Sequence, residues 1–205
     1  MTLDARWHFR NFGSSFGGSE PLALAHTTGV ECIEDVYLIS PRPDVEVRIR
    51  DGALAVRFLR RTNAAGLEYW VTIFRDRFPI DASVAAAILG LWHVRPVDVT
   101  SQGFSASGFL ALVGRTMPTV ASVEVTKKRH RGVLDGCGVE VTETLVDGAP
   151  SRTLAVKGPD ADRVLAAAQV LGLDRFENVS YVKALQRTLR SARSANIVLH
   201  EALSS

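Results

Sequence analysis

Val45-Glu46-Val47-Arg48-Ile49-Arg50, then Asp51-Gly52, then Ala53-Leu54-Ala55-Val56-Arg57-Phe58-Leu59-Arg60-Arg61 is the stretch on which the fold turns. Successive residues of a strand point to opposite faces, so Val45, Val47 and Ile49 share one face and Glu46, Arg48 and Arg50 the other. Aspartate and glycine accept the unusual dihedrals of a tight hairpin, and Asp51-Gly52 turns this strand back into a second that carries Arg57. Arginines crowded on one face repel one another unless carboxylates, water or an anion lie among them. Two surfaces satisfy the pattern: the solvated outer face of an antiparallel sheet, or a concave basic face that binds phosphate.

The flanking sequence extends the sheet in both directions. Arg6-Trp7-His8-Phe9-Arg10 alternates as a first strand, followed by a Gly- and Ser-rich loop over 11–21. Cys32 to Ile39 and Leu67 to Phe74 are rich in β-favouring residues. Asp81 stands where it can cap an apolar helix from Ala82 to Trp92, while 95–119 is ambiguous, with Phe109 to Val113 fitting strand or helix. Further on, 121–131, 139–146 and 151–157 alternate, joined by Asp135-Gly136 and Asp147-Gly148. Pro159-Asp160 opens a helix stopped at Gly172, and a last helix covers about 180–194, with Asn178 or Ser180 as its cap. Two hairpin-rich halves, each ending in helices, predict an α+β fold in which an antiparallel sheet curls into a barrel or tunnel. Closure removes exposed edges and lets inward-facing basic residues converge.

Composition narrows the function. In 205 residues, 24 Lys and Arg against 22 Asp and Glu leave a net charge of +2, too little to attract nucleic acid or a membrane in bulk. Any basic footprint is therefore local. The run Lys127-Lys128-Arg129-His130-Arg131 divides between two strand faces, and no aromatic-rich RNA-binding sheet motif accompanies it. With Val123 and Val125 facing the core, alternation puts Thr126, Lys128 and His130 on the opposite face, although a bulge can switch the choice to Lys127 and Arg129. Cys32 and Cys137 make no disulfide framework and no metal-ligand spacing, and are expected as buried small side chains in a reducing compartment. No apolar stretch reaches the length of a membrane span, so a cytoplasmic protein without a membrane partner is expected. Gly13 to Gly18 lacks the Gly-Lys-Ser/Thr of a P-loop. His8 and His130 are candidates for titration, while His26, His93 and His200 have no partner in sequence.

These residues resemble the CYTH family, which includes triphosphate tunnel enzymes, class IV adenylyl cyclases and thiamine triphosphatases. The resemblance rests on the ionic first strand ending in Arg10, the strand pair 45–50 and 53–61, the basic strand 123–130, and Thr153-Leu154-Ala155-Val156-Lys157-Gly158-Pro159-Asp160 before a helix. It spans about residues 5–190 and implies a single CYTH-like domain over 1–205, an antiparallel tunnel of about eight strands with helices outside. It further implies a triphosphate or polyphosphate ligand held by basic residues, with magnesium or manganese held by glutamates. Arg10, Arg48, Arg50, Arg57, Lys128 and Lys157 are the expected phosphate contacts, and Glu140, then Glu46, the expected metal ligands and catalytic carboxylates. The chain departs from the family where Glu-x-Glu-x-Lys usually stands in the first strand, since Arg6, His8 and Arg10 occupy those places, and Lys157 stands where a glutamate is usual. Magnesium needs hard oxygen ligands, so a tunnel that keeps its arginines and loses carboxylates binds anions better than it hydrolyses them. Two functions follow: metal-dependent hydrolysis of a phosphorylated small molecule, or a non-catalytic module that binds one.

Overall fold

The structure, a computed structural model, describes residues 4–92 and 103–191. In chain order its strands are β1 (Ala5–Gly13), β2 (Thr27–Ile39), β3 (Val45–Arg50), β4 (Ala53–Thr62), β5 (Glu68–Arg77), β6 (Ile80–Asp81), β7 (Gly103–Phe104), β8 (Ala121–Leu134), β9 (Cys137–Val146) and β10 (Ala149–Gly158). Its helices are α1 (Ser19–Leu24), α2 (Ala82–Gly90), α3 (Ala106–Thr116), α4 (Ala161–Val170) and α5, residues 181–191. Eight strands close into an antiparallel barrel in the order β1-β10-β9-β8-β2-β3-β4-β5, and β6 pairs with β7 outside it. This is the architecture the alternation and the family resemblance imply.

All three Asp-Gly pairs turn as expected, with both residues at positive φ: Asp51 and Gly52 at 50° and 69°, Asp135 and Gly136 at 50° and 77°, Asp147 and Gly148 at 46° and 84°. That geometry matches the twist of the strands it joins. Outward-facing Val45, Val47, Ile49 and Leu54 pack under α2 and α3, through Ile88, Leu89, Phe109 and Leu112. Phe9, Val139, Leu154 and Val156 pack under α4, through Val164, Ala168 and Leu171. The helix α5 acts differently. Its Tyr181 and Leu185 pack with Tyr37, Ile39, Val123, Val125 and Val146, which come from inward-facing strand positions, so it closes one end of the barrel with an apolar floor. The barrel is therefore a cup, apolar at the floor and ionic towards the mouth.

Local expectations divide. Asp160 caps α4 by accepting a bond from the Arg163 N–H at 2.9 Å, but Asp81 makes no side-chain cap to α2. Ser180 Oγ accepts from the Lys183 N–H at 3.4 Å, whereas Asn178 ties two strand ends together. It accepts from the Arg10 N–H at 2.8 Å and donates to the carbonyls of His8 and Gly66. Phe109 to Val113 is helical, within α3. The Gly- and Ser-rich loop is shorter than expected, since β1 runs to Gly13 and α1 begins at Ser19. Cys137 is buried but Cys32 is exposed, because even-numbered positions of β2 face away from the barrel interior. His93, His200, residues 95–102 and the last positions of the final predicted helix lie outside the described residues. No helix among the described residues is long and apolar enough to cross a membrane.

Candidate functional site

Closure of the sheet brings one face of every strand to a common axis. His8 and Arg10 enter from β1, Arg48 and Arg50 from β3, Arg57 from β4, Lys127 and Arg129 from β8, and Lys157 from β10. The carboxylates among them are Glu46, Glu68 and Glu140, so seven lysines and arginines face three glutamates around an inner cavity of about 40 Å³. That space has room for little more than a water molecule. It widens into a mouth of about 590 Å³ that shares Arg48, Arg50, Arg57, Arg129, Glu140 and Lys157.

The inner volume is small because ion pairs fill it. Glu140 Oε2 accepts from Arg10 Nη2 at 2.8 Å and Lys157 Nζ at 2.7 Å, and its Oε1 lies 3.4 Å from Arg129 Nη1. Asp35, 2 % exposed, is held by both arms of Arg50 at 2.6 and 2.7 Å and by the Lys127 ammonium, which also donates to Tyr37 Oη at 2.8 Å. Glu46 meets Arg57 at 3.3 Å, and the other arm of Arg57 lies 3.0 Å from His8 Nε2. A guanidinium has only protons to give, so His8 Nε2 accepts and the ring is neutral with its proton on Nδ1. Glu68 accepts from the Trp70 indole at 2.9 Å and from the Lys183 ammonium of α5.

Burial and charge set the protonation of this network. Burial pushes the Asp35 carboxyl up, but the Arg50 bond and the charges of Lys127 and Arg48 outweigh it and hold it at about 2. Burial likewise opposes the ionised form of Glu140, and Lys157, Arg10 and Arg129 overcome it, holding that carboxyl well below its usual range. For Lys157 burial dominates in the other direction. Together with the Arg10 and Arg57 charges it pulls the ammonium down to about 7 despite Glu140. Lys127 falls to about 7 for the same first reason, with Arg48 and Arg50 adding to it and Asp35 opposing. Burial, then Arg57, Lys157 and Arg10, hold His8 well below an ordinary histidine.

Of the residues singled out by sequence, Arg10, Arg48, Arg50, Arg57, Lys157, Glu140 and Glu46 converge on the cavity. Lys128 does not. It is exposed on the outer surface opposite Cys32, while its neighbours Lys127 and Arg129 point inward. Strict alternation holds along this part of β8, but Val123 and Val125 face the floor of the cup instead of an outer core. Apolar and basic residues thus share one inward face, divided along its length, which the assignment of Lys128 did not allow for. Asp35, Glu68 and Arg75 went unnoticed in sequence. Asp35 carried a signal, since it stands directly opposite Arg50 once β2 and β3 pair.

Glu140 and Glu46 were expected to hold magnesium or manganese. A hard divalent cation needs carboxylate oxygens turned towards it. Both oxygens of Glu140 already face guanidinium or ammonium groups, and Glu46 faces Arg57. Among the described residues no group of three or more His, Cys, Asp or Glu side chains is placed to hold a metal ion. The donor set does not fit such an ion.

No protein-family model matches the chain, and no curated protein matches it. Among solved structures it is similar to a conserved hypothetical protein of Pyrococcus furiosus, 16% identical over 85% of this chain and 98% of the other, with a TM-score of 0.48. It is similar to the PH1012 protein of Pyrococcus horikoshii at 16% identity, over 85% and 97% of the two chains, with a TM-score of 0.47. A third similarity is to HpAC1 of Hippeastrum, described as having a dominant triphosphatase activity, at 12% identity over 89% and 95% of the chains and a TM-score of 0.46.

Proposed function

We propose that the cup binds a phosphorylated small molecule carrying several negative charges, a tri- or polyphosphate, through guanidinium and ammonium groups and without a divalent metal. The observation that carries this reading is the excess of cations on a concave wall, seven lysines and arginines against Glu46, Glu68, Glu140 and the buried Asp35 held by Arg50 and Lys127, opening into a mouth of about 590 Å³. Concave low-dielectric walls focus the field of their charges, and guanidinium forks match the oxygens of phosphate. The carboxylates neutralise part of that charge and hold the arginines in fixed orientations, so less side-chain freedom is lost when an anion enters. A multiply charged ligand supplies the missing countercharge.

Hydrolysis of a phosphoanhydride needs developing charge neutralised and a water positioned, work in which metal ions take a large part. With Glu140 and Glu46 turned to internal cations, the second function expected from sequence, binding without turnover, fits the site better. The test is calorimetric titration with inorganic triphosphate at pH 6.5 in magnesium, manganese or excess chelator, with phosphate release read on the same samples. Saturable binding in chelator without phosphate release is the expected result. Metal-dependent release abolished by Glu140→Gln would make Glu140 a metal ligand and overturn the metal-free reading. Absence of binding under every condition would overturn the polyanion reading itself.

A further inference from the structure

The helices cover the barrel unevenly. The pair α2 and α3 packs over β3 and β4, and α4 packs over β1, β9 and β10 towards their other ends. Between these layers runs an outer face built from Cys32 and Glu34 of β2, Thr126 and Lys128 of β8, Glu143 and Leu145 of β9, and Pro150 and Arg152 of β10. All of these residues are exposed, and no helix among the described residues covers them. The short α1 touches only the edge, where Glu20 holds Arg152 at 2.6 Å.

Strand pairing sets the face out in two rows. One runs Cys32, Lys128, Glu143, Arg152, and the next Glu34, Thr126, Leu145, Pro150. They enclose a groove of about 470 Å³, in which Leu145 is left 46 % exposed. The charges of the groove are unequally paired. Arg152 has Glu20, but Lys128 and Glu143 stand opposite each other and neither makes a side-chain hydrogen bond or ion pair with a described residue. A concave face with an exposed aliphatic side chain and two unused opposite charges is the pattern of a docking surface.

The positions of the two charges select the occupant. A two-fold axis lying on the face, parallel to the strands and midway between β8 and β9, exchanges these strands between two copies of the chain. Lys128 of each copy then meets Glu143 of the other, and Thr126 meets Leu145. An axis centred on β8 or on β9 instead sets lysine against lysine or glutamate against glutamate, and an axis one strand further out leaves Lys128 or Glu143 without a countercharge. The face is therefore complementary to itself in one register. Four strands about 4.8 Å apart, each giving about six residues at about 3.3 Å, present roughly 400 Å² in plan, and more once side chains are counted. That is the small end of specific interfaces, so association is expected to be weak and concentration-dependent.

We propose that this outer face of β2, β8, β9 and β10 docks a second copy of the chain about a two-fold axis between β8 and β9, with Lys128 of each copy paired to Glu143 of the other. The interface lies on the flank of the barrel, so both mouths stay open and the dimer does not depend on what the cup binds. Its test is sedimentation of the full chain across the micromolar range, in reducing buffer so that Cys32 does not cross-link. The wild type should show a reversible monomer–dimer equilibrium. Lys128→Glu and Glu143→Lys each set like charges face to face twice per dimer, and each should weaken association at least about tenfold. Combining Lys128→Glu with Glu143→Lys restores both pairs with their signs exchanged, and should return association to within about threefold of the wild type. Both sites are exposed, and equal denaturant midpoints verify that every variant is folded. A wild type that stays monomeric throughout would overturn the proposal and leave the face to a partner other than this chain. A dimer unaffected by either single reversal would place the interface elsewhere on the molecule. A double variant as weak as the single ones would overturn the two-fold pairing.

Discussion

At Lys157 an ammonium group is drawn in two directions, towards its charge by Glu140 at 2.7 Å and away from it by burial, Arg10 and Arg57. Its value of about 7 lies below the ordinary 10.5, so between these limits the unfolded chain binds more protons than the folded one. Stability therefore rises with pH through that window, while attraction for an anion falls as the ammonium loses its proton. Asp35 has the opposite sign: held at about 2 against 3.8, it contributes stability that is present above 3.8 and lost as pH falls through 2. An entering polyanion favours the protonated lysine. Triphosphate binding at pH 8 is therefore expected to take up protons, read as a dependence of the calorimetric heat on buffer ionisation enthalpy. The uptake should diminish below pH 6 and in Lys157→Arg. Heats independent of the buffer at pH 8 would show that Lys157 and Lys127 both stay charged when no ligand is bound. At this scale the cations are legible in sequence and their protonation is not, because it depends on neighbours as distant in the chain as Glu140 is from Arg10.

Among the elements, β2 and β8 form the longest pair of the barrel, and their backbones crowd each other near one end of it. The register shifts between Thr27 and Gly29, and Gly132 packs against that irregularity. A Cβ at Gly132 would lie 1.8 Å from the His26 carbonyl oxygen and 2.7 Å from the Thr27 Cα, both backbone atoms that cannot rotate aside. Gly132→Ala should therefore cost about 2 kcal/mol or more in a denaturant titration, the scale of overpacking. Gly29→Ala, which would meet nothing within 4 Å, should leave the midpoint nearly unchanged or raise it slightly. Equal midpoints for the two variants would refute the close approach. The strands themselves were legible from period-two alternation and from the three Asp-Gly turns. The bulges were not, because an extra unpaired residue exists only relative to a partner strand.

Over the whole molecule, apolar and ionic side chains occupy different ends of one interior. The floor depends on α5, whose Leu185 is 1 % exposed among Tyr37, Val123 and Val125. Leu185→Ala removes buried methyl groups and leaves a cavity at the closed end, so a loss of about 3 kcal/mol in unfolding free energy is expected. Triphosphate affinity at the mouth should change less than threefold. A large loss of affinity with little loss of stability would mean that the floor and the mouth are not separate. The amino-acid sequence by itself determined that an antiparallel sheet forms, where its hairpins turn, and that Glu46, Arg48 and Arg50 share a face, because alternation and turn dihedrals are properties of adjacent residues. Only the tertiary structure decided which face is inside, that Val123 and Val125 join the basic residues there, that Lys128 is left outside, and which cations are already paired. Those outcomes follow from barrel closure and the docking of α5, which bring residues more than a hundred positions apart within hydrogen-bond distance. No local pattern contains that information.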